Sequence, residues 1–135
     1  MKYSGLYEDP QEEFEPGQRK ITAGTRLYIA KPPDPPSEAL LNCVREVSRR
    51  SVGVCAAYAF EMAVGENAPS LSIGLYFDAK PDAREVEELF WTLGRSIKPF
   101  LEENNFIDLL PLHSKNVLGV TVREQIAPFY RRQVQ

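Results

Sequence analysis

The chain has 135 residues, of which 43% are hydrophobic, and its formal net charge at pH 7 is −3. A chain of this length suits one domain with a sizeable core, and the apolar content excludes global disorder. The acidic balance offers no general attraction to nucleic-acid phosphates, and no apolar run approaches the roughly 18 residues that cross a bilayer. We therefore expect a soluble protein whose partner is neither a membrane nor a nucleic acid.

Residues 1–20 are predicted to form a loosely held arm. This segment is acidic, and Pro10, Pro16 and Gly17 interrupt any hydrophobic periodicity. An acidic start also differs from the basic residues and apolar centre of a secretory signal, which predicts a cytoplasmic protein. Residues 21–135 are predicted to form a single domain.

The first strand and the first helix of this domain are separated by four prolines. Alternation around Leu27 and Ile29 predicts a strand within residues 21–31. The prolines end this strand because proline lacks an amide donor and restricts the residue before it. Ser37 is the candidate N-cap of the helix that follows. The apolar residues of that helix recur at helical spacing, at Leu40, Val44 and Val47.

A hairpin of two strands is predicted at the centre of the chain. Residues 54–64 are apolar on both faces apart from Glu61, which indicates a strand that is covered on both sides. Residues 70–78 alternate between apolar and polar side chains, which is typical of a half-buried strand. The intervening residues 65–69 include glycine and proline and suit a hairpin loop.

A second helix and a fourth strand are predicted after the hairpin. Asp82 and Glu85 form a capping-box pattern, with Asp in the Ser/Thr role, at the start of a strongly periodic helix. Pro99 ends this pattern, and the short apolar run 106–112 predicts the fourth strand.

The order of strand, helix, two strands, helix and strand predicts an α+β fold of the ferredoxin-like βαββαβ type. Such a sandwich has four antiparallel strands with two main helices on one face. A short C-terminal helix with Ser114 as its cap is also considered for residues 117–126. Several β-branched residues and Gly119 oppose that helix.

The sheet face opposite the helices is the predicted binding surface. We expect it to carry Arg26, Tyr28 and Tyr76 and to bind a protein partner, since tyrosine is enriched at protein interfaces. RNA binding through this face is an alternative, but the chain lacks a basic patch and the RNP pattern.

The sequence contains no catalytic signature. Cys43 and Cys55 have no metal-like spacing and are predicted to be buried thiols, and His113 is predicted to lie at the surface. The common phosphate, dinucleotide and zinc motifs are missing. We therefore predict a non-enzymatic protein without cofactor or metal, and a small enzyme using Cys55 or His113 is the alternative.

The C-terminal tail is predicted to be a structural clasp formed by Pro128, Phe129 and Tyr130, because a disordered terminus would be polar at this point. A second question is what covers the apolar strand 54–63 if it lies at a sheet edge. The tail, a partner or a second copy of the chain would serve, so a homodimer through the edge strand is a further alternative.

A set of short motifs spread over about residues 20–132 indicates a family relationship. They are Gly24-Thr25, Pro33-x-Pro35, Glu38-Ala39-Leu40-Leu41, Ala57-Tyr58, Leu71-x-Ile73-Gly74-Leu75, Ile107-Asp108-Leu109-Leu110-Pro111-Leu112 and Pro128-Phe129-Tyr130-Arg131-Arg132. Together they resemble the carboxy-terminal domain family of SseB, the bacterial enhanced serine sensitivity protein. The resemblance implies a helix around 117–126 and an interaction or regulatory module linked to serine sensitivity. It supplies no catalytic residues.

Overall fold

The computed structural model describes residues 3–6, 26–65, 68–101 and 107–133. Within these ranges the chain forms strands, α-helices and one short 3₁₀ turn at Lys98–Phe100. The strands are β1 (Tyr3–Leu6), β2 (Arg26–Ala30), β3 (Val54–Val64), β4 (Ser70–Phe77), β5 (Asp108–Leu112) and β6 (Tyr130–Arg131), and the helices are α1 (Glu38–Arg49), α2 (Ala83–Ile97) and α3 (Val117–Gln125). This composition confirms the predicted α+β class.

The sheet is ordered sequentially from β1 to β5, and β6 pairs with β3. All paired strands are antiparallel except β4 and β5, which run parallel because the chain crosses between them through α2. The predicted ferredoxin-like sheet of four antiparallel strands is therefore wrong. The predicted elements occur in the predicted order, although β1 and β6 were not predicted, but that order does not determine which strands become neighbours. Here β2 pairs directly with β3.

Helices α1 and α2 pack against one face of the sheet, as predicted. Ser37 accepts a hydrogen bond from the Leu40 amide at 3.2 Å, and Asp82 accepts one from the Arg84 amide at 2.8 Å, so both predicted caps are confirmed. Full burial of a large apolar side chain is worth roughly 1.5–3 kcal/mol, and this layer contains many. Its buried members include Leu40, Val44, Val54, Ala57, Ile73, Leu75, Val86, Phe90, Leu93 and Ile97.

Helix α3 covers the opposite face of the sheet. The sheet is thus the middle of three layers, whereas the sequence predicted an open face on this side. Strand β3 lies between the two cores, which confirms the prediction that it is covered on both sides. The second core includes Ile29, Tyr58, Phe60, Met62, Leu110, Leu112, Leu118 and Val122.

Helix α3 begins in an unusually crowded place. Its N-cap is Asn116 rather than the predicted Ser114, and the Asn116 Oδ1 accepts a hydrogen bond from the Gly119 amide at 2.6 Å. A Cβ on Gly119 would lie 2.5 Å from that oxygen and would overlap the backbone carbonyl of His113. The glycine that opposed a helix in the sequence is therefore required for the helix to pack here.

The C-terminal tail pairs with the first half of β3. Ala56 and Ala57 of β3 lie opposite Arg131 and Tyr130 of β6. The tail, a partner and a second copy of the chain were the three alternatives for pairing with this strand edge. At Ala56 and Ala57 the edge is paired with the chain's own tail.

At the other end of the chain, β1 pairs antiparallel with β2. The rest of the predicted arm, and the Gly24-Thr25 motif, lie outside the described residues, so the loosely held arm stays a prediction. None of the helices in the described ranges combines the length and the apolar character needed to cross a membrane.

Candidate anion-binding pocket

A cavity of about 420 Å³ opens where the start of β3, the end of β4, α3 and β6 meet. Its lining includes three arginines, two tyrosines and one cysteine, and we call it the arginine pocket. These residues are Cys55, Tyr58, Tyr76, Arg123, Arg131 and Arg132. Asp78 also lines it, so three guanidinium cations and one carboxylate leave a net charge of +2.

Arg123 is held against Tyr76. Its Nη1 donates to the Tyr76 hydroxyl at 3.3 Å, and its guanidinium carbon lies 5.2 Å from the centre of the Tyr76 ring. The hydrogen bond with this hydroxyl raises the pKa of Arg123, so the group is a permanent cation. The Tyr76 ring in turn meets Tyr58 edge to face, with 6.3 Å between ring centres. These contacts fix the wall of the pocket on the α3 side.

Arg132 is committed to contacts within the chain. Its Nη2 lies 2.6 Å from Asp78 Oδ2, and its Nη1 donates to the Val52 carbonyl at 2.8 Å. The bond to Arg132 is the main reason that the pKa of Asp78 is lowered. Both side chains are partly exposed, so the pair contributes little to stability. Its effect is to position the tail and to neutralise the one carboxylate of the pocket.

Arg131 and Tyr58 differ from Arg123, Arg132 and Asp78, whose side chains are bonded within the chain. Within the described residues, the Arg131 guanidinium has no ion-pair partner and no residue bonds to the Tyr58 hydroxyl. Tyr58 is only 3% exposed, and burial raises its pKa, an effect that Arg123 and Arg131 partly oppose. Tyr58 is therefore a neutral hydroxyl at physiological pH, able to donate a hydrogen bond beside two cations.

Cys55 lies in the pocket as a half-buried thiol. Its Sγ donates to the Tyr76 carbonyl at 3.4 Å. Burial, and then the neighbouring Asp78 carboxylate, raise its pKa above the usual value. Activated thiols have a lowered pKa, so this environment is the reverse of the one that a nucleophilic cysteine requires.

The environment of Cys55 predicts slow thiol labelling. In a Cys43→Ala variant, the remaining thiol should react with iodoacetamide at pH 7.5 at least tenfold more slowly than a free peptide thiol, because the thiolate is rare and the group is half-buried. Unfolding in urea should restore the rate of the free peptide. Labelling of the native protein as fast as the peptide would contradict this environment and revive the enzyme alternative.

His113 is buried rather than at the surface, which corrects the prediction. It is 5% exposed, and its Nδ1 accepts a hydrogen bond from the Lys115 amide at 3.2 Å. This hydrogen bond stabilises the turn before α3. Its environment was missed because a turn residue is ordinarily exposed, and only the packing of α3 over the turn buries it.

The three residues predicted for one binding face are not brought together. Tyr76 lines the pocket but is 5% exposed. Tyr28 lies opposite Ala63, and Tyr76 lies opposite Ala56, so the two tyrosines are on opposite faces of the sheet. The side chain of Arg26 lies outside the described part of the chain. Tyr58, Arg123 and Arg131 were not among the predicted site residues.

The predicted clasp residues all lie against the domain. Pro128, Phe129 and Tyr130 are half-buried, and the last two pack on the core beneath α1 and α2. The Phe129 amide donates to the Ala57 carbonyl at 3.0 Å, and Arg45 Nε donates to the Phe129 carbonyl at 3.1 Å. These contacts support a stabilising role, which the truncation described in the Discussion tests.

The fold and the pocket define a small α+β domain in which three layers and a docked tail build a cationic cavity. The family model described as the SseB protein C-terminal domain matches residues 21–132. The chain therefore belongs to this family, as its motifs predicted. No curated protein and no solved structure matches the chain.

Proposed function

We propose that the protein is a non-enzymatic, cytoplasmic interaction module with a regulatory role in serine sensitivity, and that it binds an anionic group of a protein partner in the arginine pocket. One observation carries this proposal: two arginines and the Tyr58 hydroxyl, to which no described residue bonds, converge on one cavity. Arginine suits such recognition because its planar fork of donors matches an oxyanion.

The surface next to the pocket supports a protein as the partner. Arg132 bonds to the carbonyl of Val52, a residue that is 91% exposed and lines an adjoining cavity that shares Asp78 with the arginine pocket. An anionic contact in the pocket and an apolar contact at Val52 would together form the cationic and hydrophobic mixture that protein interfaces favour. The raised pKa of Cys55 and the buried position of His113 give the enzyme alternative no matching support.

Capture with crosslinking from the native cell, using matched variants, tests this function. An Arg123→Gln, Arg131→Gln double variant should recover at least tenfold less of a specific partner than the unchanged chain, since a hydrogen bond to a charged group is worth about 1.5–3 kcal/mol. The control is Arg49→Gln, which removes an exposed arginine that pairs with Glu46 outside the pocket. Equal recovery by all three proteins, or no partner at all, would refute the proposal.

A further inference from the structure

We propose that the anionic group bound in the arginine pocket is a phosphoryl group, carried by a phosphorylated segment of the partner protein. This inference rests on the proposed function and specifies its ligand. The charge, the hydrogen-bond donors and the size of the pocket support it.

The charge of the pocket matches a dianion. Because Arg132 neutralises Asp78, the charges left for a ligand are those of Arg123 and Arg131. A phosphoryl ester carries a charge of about −1.5 to −2 at pH 7, which compensates both cations. A carboxylate carries one charge and would leave one guanidinium uncompensated.

The available donors also suit a phosphoryl group, which has three strong acceptor oxygens. Arg123 has one N–H bonded to Tyr76 and four others that are not, and Arg131 offers its whole fork. The Tyr58 hydroxyl provides a third, neutral donor from the sheet side. No described residue bonds to this hydroxyl, so it is available to donate to a ligand oxygen.

The size of the pocket and the surface next to it favour a phosphorylated side chain over a free ion. A cavity of about 420 Å³ exceeds the volume of a phosphate ion and falls in the range of ordinary ligand sites. Val52 is exposed in the adjoining cavity, which shares Asp78 with the arginine pocket, and would contact neighbouring residues of the bound segment. RNA is a poorer fit, because a base needs an open aromatic face and Tyr76 is 5% exposed.

Peptide libraries with one fixed central residue test whether the pocket binds a phosphoryl group. Binding of the full chain is measured to degenerate peptides whose centre is phosphoserine, glutamate or serine, with inorganic phosphate and single-stranded RNA as separate probes. We expect the phosphoserine library to bind at least tenfold more tightly than the glutamate library at pH 7.5. This ratio should fall toward pH 5.5, because the second pKa of the phosphoryl group is about 6. The titratable groups of the pocket are the same for every library, so a change in the ratio with pH reports the titration of the ligand. These groups are Cys55, Asp78, Tyr58, Tyr76 and the three arginines.

Variants connect the binding to the pocket. Arg131→Gln should weaken phosphoserine binding at least tenfold, and Tyr58→Phe, which keeps the ring, should weaken it severalfold, whereas Arg49→Gln should not change it. Equal binding of the glutamate library would overturn the phosphoryl assignment and leave the proposed function intact. Equally tight binding of inorganic phosphate or RNA would overturn the assignment to a protein segment. If no library binds and capture also finds no partner that depends on the pocket, both proposals fail.

Discussion

A Gly119→Ala variant is expected to unfold about 12 °C below the unchanged protein, because overpacking at this site should cost roughly 3 kcal/mol. The added methyl group would overlap the His113 carbonyl and lie 2.7 Å from the His113 nitrogen. Backbone atoms cannot move aside as a flexible side chain does. The start of α3 must therefore shift, and the hydrogen bond from the Gly119 amide to Asn116 is lost with it.

Gly94 provides the matched control for this experiment. It lies inside α2, and the nearest atom to an added Cβ is Leu109 Cδ1 at 3.9 Å, an ordinary contact. Gly94→Ala should therefore stabilise the domain by up to about 1 kcal/mol, the difference in helix propensity between the two residues. Thermal unfolding followed by circular dichroism measures both variants. A Gly119→Ala protein that melts within about 2 °C of the unchanged chain would contradict the packing of α3 on the His113 turn.

Truncation before Pro128 is expected to lower the melting temperature by roughly 8 °C. The deletion exposes core that Phe129 and Tyr130 half cover, and it removes the backbone hydrogen bonds of the tail to Ala57 and Cys55. Two half-buried rings and these bonds together contribute about 2 kcal/mol or more. For a chain of this length, each kcal/mol corresponds to about 4 °C.

Two control proteins separate the clasp from the pocket. A chain ending at Gln133 keeps every tail contact described above and should melt as the unchanged protein does. Arg131→Gln keeps the aromatic pair and should also melt normally while binding the phosphoserine library at least tenfold more weakly. If truncation before Pro128 left the melting temperature unchanged and removed only binding, the clasp would be refuted, and the tail would serve binding alone.

The residues of the tail thus have two separable roles. Phe129 and Tyr130 pack toward α1 and α2, whereas Arg131 and Arg132 line the pocket on the α3 side. Because one short strand supplies both sets, docking of the tail and completion of the pocket are a single structural event. Ligand binding should consequently raise the stability of the tail contacts, by the linkage that applies to any ligand that binds only the folded state.

Local signals were sufficient for the starts of α1 and α2 and for strands β2 to β5. The caps at Ser37 and Asp82 act within three residues of the amides that they bond, so the sequence displays them directly. The apolar faces of β3 were likewise readable, since alternating side chains point to opposite sides of any strand. These features depend on the chain's nearest neighbours and not on the final fold.

Tertiary packing makes the segment 117–125 a helix. Its β-branched residues and Gly119 lower its intrinsic helix propensity by a few tenths to about 1 kcal/mol per residue. Burial of Leu118 and Val122 against the sheet is worth roughly 1.5–3 kcal/mol each and outweighs that cost. The family resemblance identified this helix from its motifs, whereas propensity alone argued against it.

The strand order and the arginine pocket are determined only by the folded structure. The pocket joins Tyr58 of β3, Arg123 of α3 and Arg131 of β6, which share no spacing that a sequence pattern could reveal. They meet because β2 pairs with β3, β5 runs parallel to β4, and the tail returns to the open half of β3. The amino-acid sequence by itself determined α1, α2 and strands β2 to β5 with their apolar faces, because periodicity and caps act over a few residues. The choice of partner for each strand depends on which faces can be buried together, and only the complete three-layer packing settles that choice.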